Sequence, residues 1–181
     1  REHPQVPALP AVFQHGRGSH GVPGRGGRGR DRSRRSRQRH GLATMMLLGP
    51  TESLVIADHT AHIGKLASDL LIEAEHGTDS SVVFVCTSAD TIDAVETELQ
   101  IQIADLPANR AEACRASLGN NGGAILVSTL AEAIEVTNMY APEHCQVAVS
   151  AQYEEMVVDG ITNAGEILIG QHTPFSAGNF V

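Results

Sequence analysis

The sequence predicts an α/β domain over residues 45–181, a mainly parallel sheet covered by helices in a Rossmann-like layered arrangement. Three observations predict it. Short apolar, β-branched runs alternate with stretches of helical period. Runs such as "SVVFVCT" lack the polar alternation of a sheet with one wet face, so they read as strands buried on both sides. The connections between them, about 10–15 residues of helical pattern, are long enough for the crossovers that parallel pairing requires.

The elements follow in order. "SLVIA" (Ser53–Ala57) is a short apolar strand. Ile63, Leu66, Leu70 and Ala74 share one helical face, and Gly77 ends that helix. "SVVFVCT" (Ser81–Thr87) is the second strand. From Asp90 to Ala104 the residues Ile92, Val95, Leu99 and Ile103 align on a helix that Pro107 breaks, and residues 108–118 make another. "AILV" (Ala124–Val127) is a third strand, and "GNNGG" before it is a turn. Ser128 can cap the next helix, Thr129 with Glu132 forms a capping box, and the helix ends near Tyr140. "CQVAV" (Cys145–Val149) and "EILI" (Glu166–Ile169) are two more strands, separated by a helix over Gln152–Val158. The closing segment "GQHTPFSAGNFV" has no regular pattern.

Aromatics are scarce, with no Trp, two Tyr and four Phe, so the core is aliphatic. The net charge of −8 hides a split. Residues 1–40 hold ten Arg against Glu2 and Asp31, whereas Lys65, Arg110 and Arg115 face nineteen acids in the remainder. An acidic body is a poor nucleic-acid binder, because phosphate contacts need Lys and Arg. Cys86, Cys114 and Cys145 are an odd set without a C-x-x-C, which points to a reducing, cytoplasmic setting and to core packing. No apolar run approaches the length of a membrane span, and no signal peptide follows the N-terminal charges. Segment 1–44 is Arg/Gly-rich and of low complexity, so disorder is its expected state. An RNA-binding arm and a solvated tail are alternative readings. An out-of-frame or misjoined segment is preferred, since GC-rich DNA read in a wrong frame yields Arg, Gly, Pro and Ser.

Two constellations could carry chemistry. Glu73 and His76 lie three apart on the last turn of a helix, a known spacing for an oxygen and a nitrogen ligand to Zn²⁺. A solvated polar helix end is the bland alternative. Glu143 and His144 follow Pro142, which disfavours helix for Ala141. Such a pair could activate a water and move protons, or could be an exposed loop. Ligands of such sheets lie beyond the carboxyl ends of the strands, yet no G-x-G-x-x-G follows a strand here. His59, His62, Asp58 and Asp79 fall in loops without an assigned role.

Five stretches together change the balance. "LLGPTESLVIAD", "DLLIEAEHG", "NMYAPEHCQVAV", "NAGEILIG" and "TPFSAGNFV" resemble, in order and spacing, the histidinol dehydrogenases. That family carries a GP[ST]E turn, a QAEHG helix end, an APEH motif, a NAG-x-I strand and a TPE-x-x-GDY segment. The resemblance covers residues 46–181, and residues 1–40 stand outside it. It implies an NAD-dependent, zinc-containing enzyme of histidine biosynthesis, oxidising L-histidinol to L-histidine through an aldehyde, and a homodimer. It implies Glu143 as activator of the attacking water and His144 as general base. By the same resemblance Thr51, Glu73, His76 and Asn179 are substrate contacts. Glu73, His76 and Asn179 are then the zinc ligands, with His76 near the carboxyl end of the sheet.

The chain departs from the pattern in places. Glu73 stands where the family has Gln, and Asn179 where it has Asp, changes that nearly conserve site charge. They suggest as an alternative a paralogue acting on another small alcohol, such as a sulfonated diol. The NAD-binding half and a last histidine ligand of the family have no counterpart in this sequence. An isolated chain is therefore expected to be inactive. Neither a membrane nor a nucleic acid is an expected partner.

Overall fold

In a computed structural model, residues 50–180 are described, so segment 1–44 and the start of the first motif lie outside the described residues. The chain alternates β1 (Glu52–Ala57), α1 (Ile63–Ala74), β2 (Ser81–Cys86), α2 (Ala89–Ala104), α3 (Ala108–Ala116), β3 (Gly123–Leu126), α4 (Leu130–Tyr140), β4 (His144–Ala148), α5 (Ala151–Gly160) and β5 (Glu166–Ile169). A 3-10 helix, Phe175–Phe180, closes it.

The five strands form one sheet in the order β3-β2-β1-β4-β5, and every neighbouring pair is parallel. Strand addition runs outward from β1 to β3, then returns to the other side of β1 with β4. This reversal puts the crossovers before it (α1, α2 and α3) on one face and those after it (α4 and α5) on the other. Alternate residues of β1 accordingly enter two cores. Val55 and Ala57 pack with Leu66 and Leu70 of α1 and with Ile92, Val95 and Leu99 of α2. Leu54 and Ile56 pack with Ala133 of α4 and Val157 of α5.

Local chemistry sets the helix ends. Ser88 caps α2 by accepting a bond from the Thr91 N–H. Thr129, rather than Ser128, caps α4 by accepting from the Glu132 N–H, while the Glu132 carboxylate reaches back to the Ser128 N–H at 2.7 Å. The helix expected over 108–118 ends at Ala116 and widens into a π turn, Ser117–Asn121. There the Ser117 hydroxyl donates to the Ser80 carbonyl and the Asn121 amide to the Thr78 carbonyl. These bonds to the β2 approach replace the α-helical ladder. All three cysteines are buried and unpaired, as small core residues.

Candidate active site

The candidate residues gather at the amino end of the sheet. α1 runs back antiparallel to the strands, so its C-terminus returns to where they begin. Glu73 sits on its last turn and His76 just beyond it, before β2 starts at Ser81. Thr51 immediately precedes β1, and its carbonyl accepts the Ser81 N–H at 2.8 Å. The expected position of His76 near the carboxyl end is thus corrected: helix reversal carries it to the opposite end. The α-helix stops at Ala74, and a bond from the His76 N–H to the Glu73 carbonyl at 3.4 Å closes one further turn over residues 73–76.

Their surroundings differ. Glu73 is 5% exposed, and its Oε2 has no hydrogen-bond partner. Burial pushes its carboxyl above the ordinary value; His144 and His76 oppose the shift and Glu166 and Glu143 reinforce it. His76 is exposed. Its Nδ1 lies 2.8 Å from the Ile72 carbonyl. A carbonyl only accepts, so Nδ1 carries the hydrogen, and in the neutral ring Nε2 presents a lone pair.

Glu143 and His144 are placed by the end of α4. Ala141 takes the left-handed conformation, with φ 54°, and its N–H bonds to the Thr137 carbonyl at 2.8 Å. The chain then turns at Pro142 and joins the sheet. Glu143 donates its N–H to the Glu52 carbonyl, and the Glu166 N–H returns a bond to the Glu143 carbonyl, each at 2.9 Å. A Cβ on Gly165 would lie 2.5 Å from that carbonyl oxygen, so only glycine fits in the "NAG" turn. His144 is not a loop residue. It begins β4, in register with Ser53 of β1 and Glu166 of β5.

The imidazole of His144 is contacted on three sides. Its Nδ1 is 2.7 Å from Glu166 Oε1, and its Nε2 is 3.9 Å from Glu143 Oε2. Phe175, buried, meets the ring edge-on with centroids 6.5 Å apart. Phe175 occupies the place of Glu in the TPE-x-x-GDY pattern. Neither Phe175 nor Glu166 carries a periodic signal in the sequence. The pairing of β4 with β5 is what brings Glu166 to His144.

A second polar group lies deeper along the same seam. Gln146, two residues along β4, is 1% exposed and donates to Asp69 Oδ2 at 2.8 Å and to the Thr173 carbonyl at 3.0 Å. It fastens the C-terminal segment onto α1 and the sheet. Asn179 falls on the 3-10 helix at the end of that segment, and its side chain lies outside the described residues.

The donor set can be matched to a zinc ion. Glu73 offers a buried oxygen without a partner, and His76 a lone pair whose ring is fixed by a backbone carbonyl, the usual outer bond of a metal-ligating histidine. Both fit. Among the described residues no cluster of three or more His, Cys, Asp or Glu side chains is assembled for a metal.

The family model described as histidinol dehydrogenase matches residues 35–181, reaching upstream of the quoted motifs. A histidinol dehydrogenase of Escherichia coli is 41% identical over 145 residues, covering 80% of this chain and 32% of the relative. One from Pseudoalteromonas translucida is 41% identical over 142 residues, covering 77% and 31%. The crystal structure of histidinol dehydrogenase from Elizabethkingia anophelis aligns with a TM-score of 0.70 at 35% identity, over 80% of this chain and 32% of that one. This chain spans about a third of the length of the curated relatives it matches.

Proposed function

This chain belongs to the histidinol dehydrogenase family, and on that premise we propose that it is part of an NAD-dependent, zinc-containing oxidoreductase converting L-histidinol to L-histidine through the aldehyde. One observation supports this best. Glu143 and His144 stand side by side at the amino end of the sheet, next to a buried carboxylate, Glu73, that has an oxygen without a partner.

In this reading Glu143 holds and activates the water that attacks the aldehyde-level carbon, and His144 is the general base for the protons released. Glu73 and His76 would hold zinc, with Asn179 as a further donor, and with Thr51 these same residues border the amino-alcohol substrate. When bound, zinc supplies a Lewis acid that orients the substrate's amine and ring. No residue here is assigned to NAD. A homodimer, as the resemblance implies, and a cytoplasmic setting, which the three unpaired cysteines suggest, complete the reading. Among the described residues no helix is long and apolar enough to cross a membrane.

The test grafts residues 46–181 into the E. coli relative in place of its matching segment and follows NADH formation with histidinol. Activity that falls at least a hundredfold in Glu143→Gln and in His144→Asn supports the proposal. A folded, NAD-binding chimera that ignores histidinol but oxidises a simple or sulfonated diol would replace it with the paralogue reading, to which Glu73 and Asn179 point. The ungrafted 181-residue chain is expected to form no NADH.

A further inference from the structure

The strongest unassigned contact in the site is between His144 and Glu166. β4 and β5 run parallel with His144 opposite Glu166, so both side chains leave the sheet on one face. Nδ1 and Oε1 are 2.7 Å apart. A carboxylate oxygen accepts and does not donate, so Nδ1 carries the hydrogen. In the neutral ring, Nε2 is then the free lone pair. Nε2 is also the nitrogen turned toward Glu143, with 3.9 Å to its Oε2. That gap is too long for a direct bond.

Glu166 is itself held. Its N–H bonds to the Glu143 carbonyl, and a Cβ on Gly178 would collide with both of its carboxylate oxygens. Phe175 closes the flank of the imidazole. The carboxylate thus lies between β5 and the closing 3-10 helix, against Gly178. Of the five motifs quoted above, none requires it, since the NAG-x-I pattern leaves its position open.

We propose that Glu166 is a positioning residue for His144: it accepts the Nδ1–H, fixes the ring, and presents the Nε2 lone pair toward Glu143. This rests on the reading of His144 as general base. The carboxylate acts on the histidine alone and needs no contact with substrate. A ring free to take the other tautomer would place N–H where the base must accept.

Long-range proton–nitrogen correlation on the ¹⁵N-histidine-labelled 181-residue chain, at a pH where the ring is neutral, reads the tautomer directly. The native chain is expected to show His144 as the Nδ1–H form. Glu166→Gln keeps an acceptor oxygen and is expected to retain that form, whereas Glu166→Ala shifts the ring to the Nε2–H form that free imidazole side chains prefer. An Nε2–H ring in the native chain, or an unchanged tautomer in Glu166→Ala, would overturn the proposal. The native spectrum decides even if the alanine variant does not fold. In the chimera described above, Glu166→Ala should lower kcat at least tenfold with KM within about twofold, and Glu166→Gln should restore most of it. A chimera inactive toward histidinol counts against the proposed substrate only, because the tautomer is measured without turnover.

Discussion

Asp58 and Glu73 are buried acids at opposite ends of the same sheet, 3% and 5% exposed. Asp58, just past β1 at the carboxyl end, accepts bonds from the Thr60 N–H, the Thr60 hydroxyl and the Ser150 N–H that begins the turn into α5. Burial pushes its carboxyl up, but those bonds outweigh burial and hold it below the ordinary value. Glu73, at the amino end, has burial as the leading influence and an oxygen with no partner, so its carboxyl is held above. An acid whose bonds are all made within the chain is a structural tie. An acid left short of donors costs stability, and the cost makes sense where a cation or a proton is to be received.

The largest expected effect lies at the satisfied acid. Asp58→Ala strands two backbone N–H groups and a hydroxyl and should cost about 2–4 kcal/mol in urea unfolding at pH 7. Because the folded carboxyl lies below the ordinary value of 3.8, its contribution is complete above that pH and is lost as pH falls through the lowered value. The gap between variant and native chain should narrow there. A constant gap would show that Asp58 acts only by packing.

Glu73→Gln should move stability the other way, by about 1 kcal/mol toward the folded state at pH 7. The folded chain binds the Glu73 proton to higher pH than the unfolded chain, whose carboxyl ionises near 4.5. Ionisation therefore opposes folding as pH rises above that value, and the advantage of glutamine should vanish in acid. If Glu73→Gln is instead destabilising at neutral pH, the contrast between the two acids fails.

Gly178→Ala should be milder in stability, about 1 kcal/mol or less, but should push the Glu166 carboxylate off its place. Partial loss of the His144 Nδ1–H tautomer in this variant would sharpen the distinction between fold and site. The smallest effect is expected at Cys145, an acid with no opposing donors, which burial pushes up to about 12. Native protein at pH 8 should leave it unalkylated by iodoacetamide over hours, with mass spectrometry showing modification only after unfolding.

Much of the fold was legible because burial writes itself into periodicity. The run from Val82 to Val85 and the stripe of Ile92, Val95, Leu99 and Ile103 gave the right element types, and helix-length crossovers gave parallel pairing. The motifs likewise singled out Glu143, His144, Glu73 and His76. What remained hidden depends on the third dimension. Helix ends carry no label for the end of the sheet they reach, so His76 was expected at the wrong one. Glu73 read as a polar helix end because solvent access depends on what β4 and β5 bring beside it. Glu166, one polar residue ahead of an apolar run, becomes part of the site only through strand register. Asp58 looked like a loop acid because its partner Ser150 is far away in sequence.

Ala141 has a last consequence. Helices that finish in the left-handed region usually do so on glycine, and an L-residue there costs about 1 kcal/mol or more. Pro142 biases Ala141 toward extended backbone, so the left-handed corner is held instead by the Ala141 N–H bond to Thr137 and by the Glu143 N–H bond to Glu52. The entropy of ordering that corner is lost when the chain folds, and no further ordering is required when a ligand arrives. Glycine at 141 would relax the strain and return that freedom. The gain in comfort would come with a blurred corner at the place where two side chains must meet a third group in register.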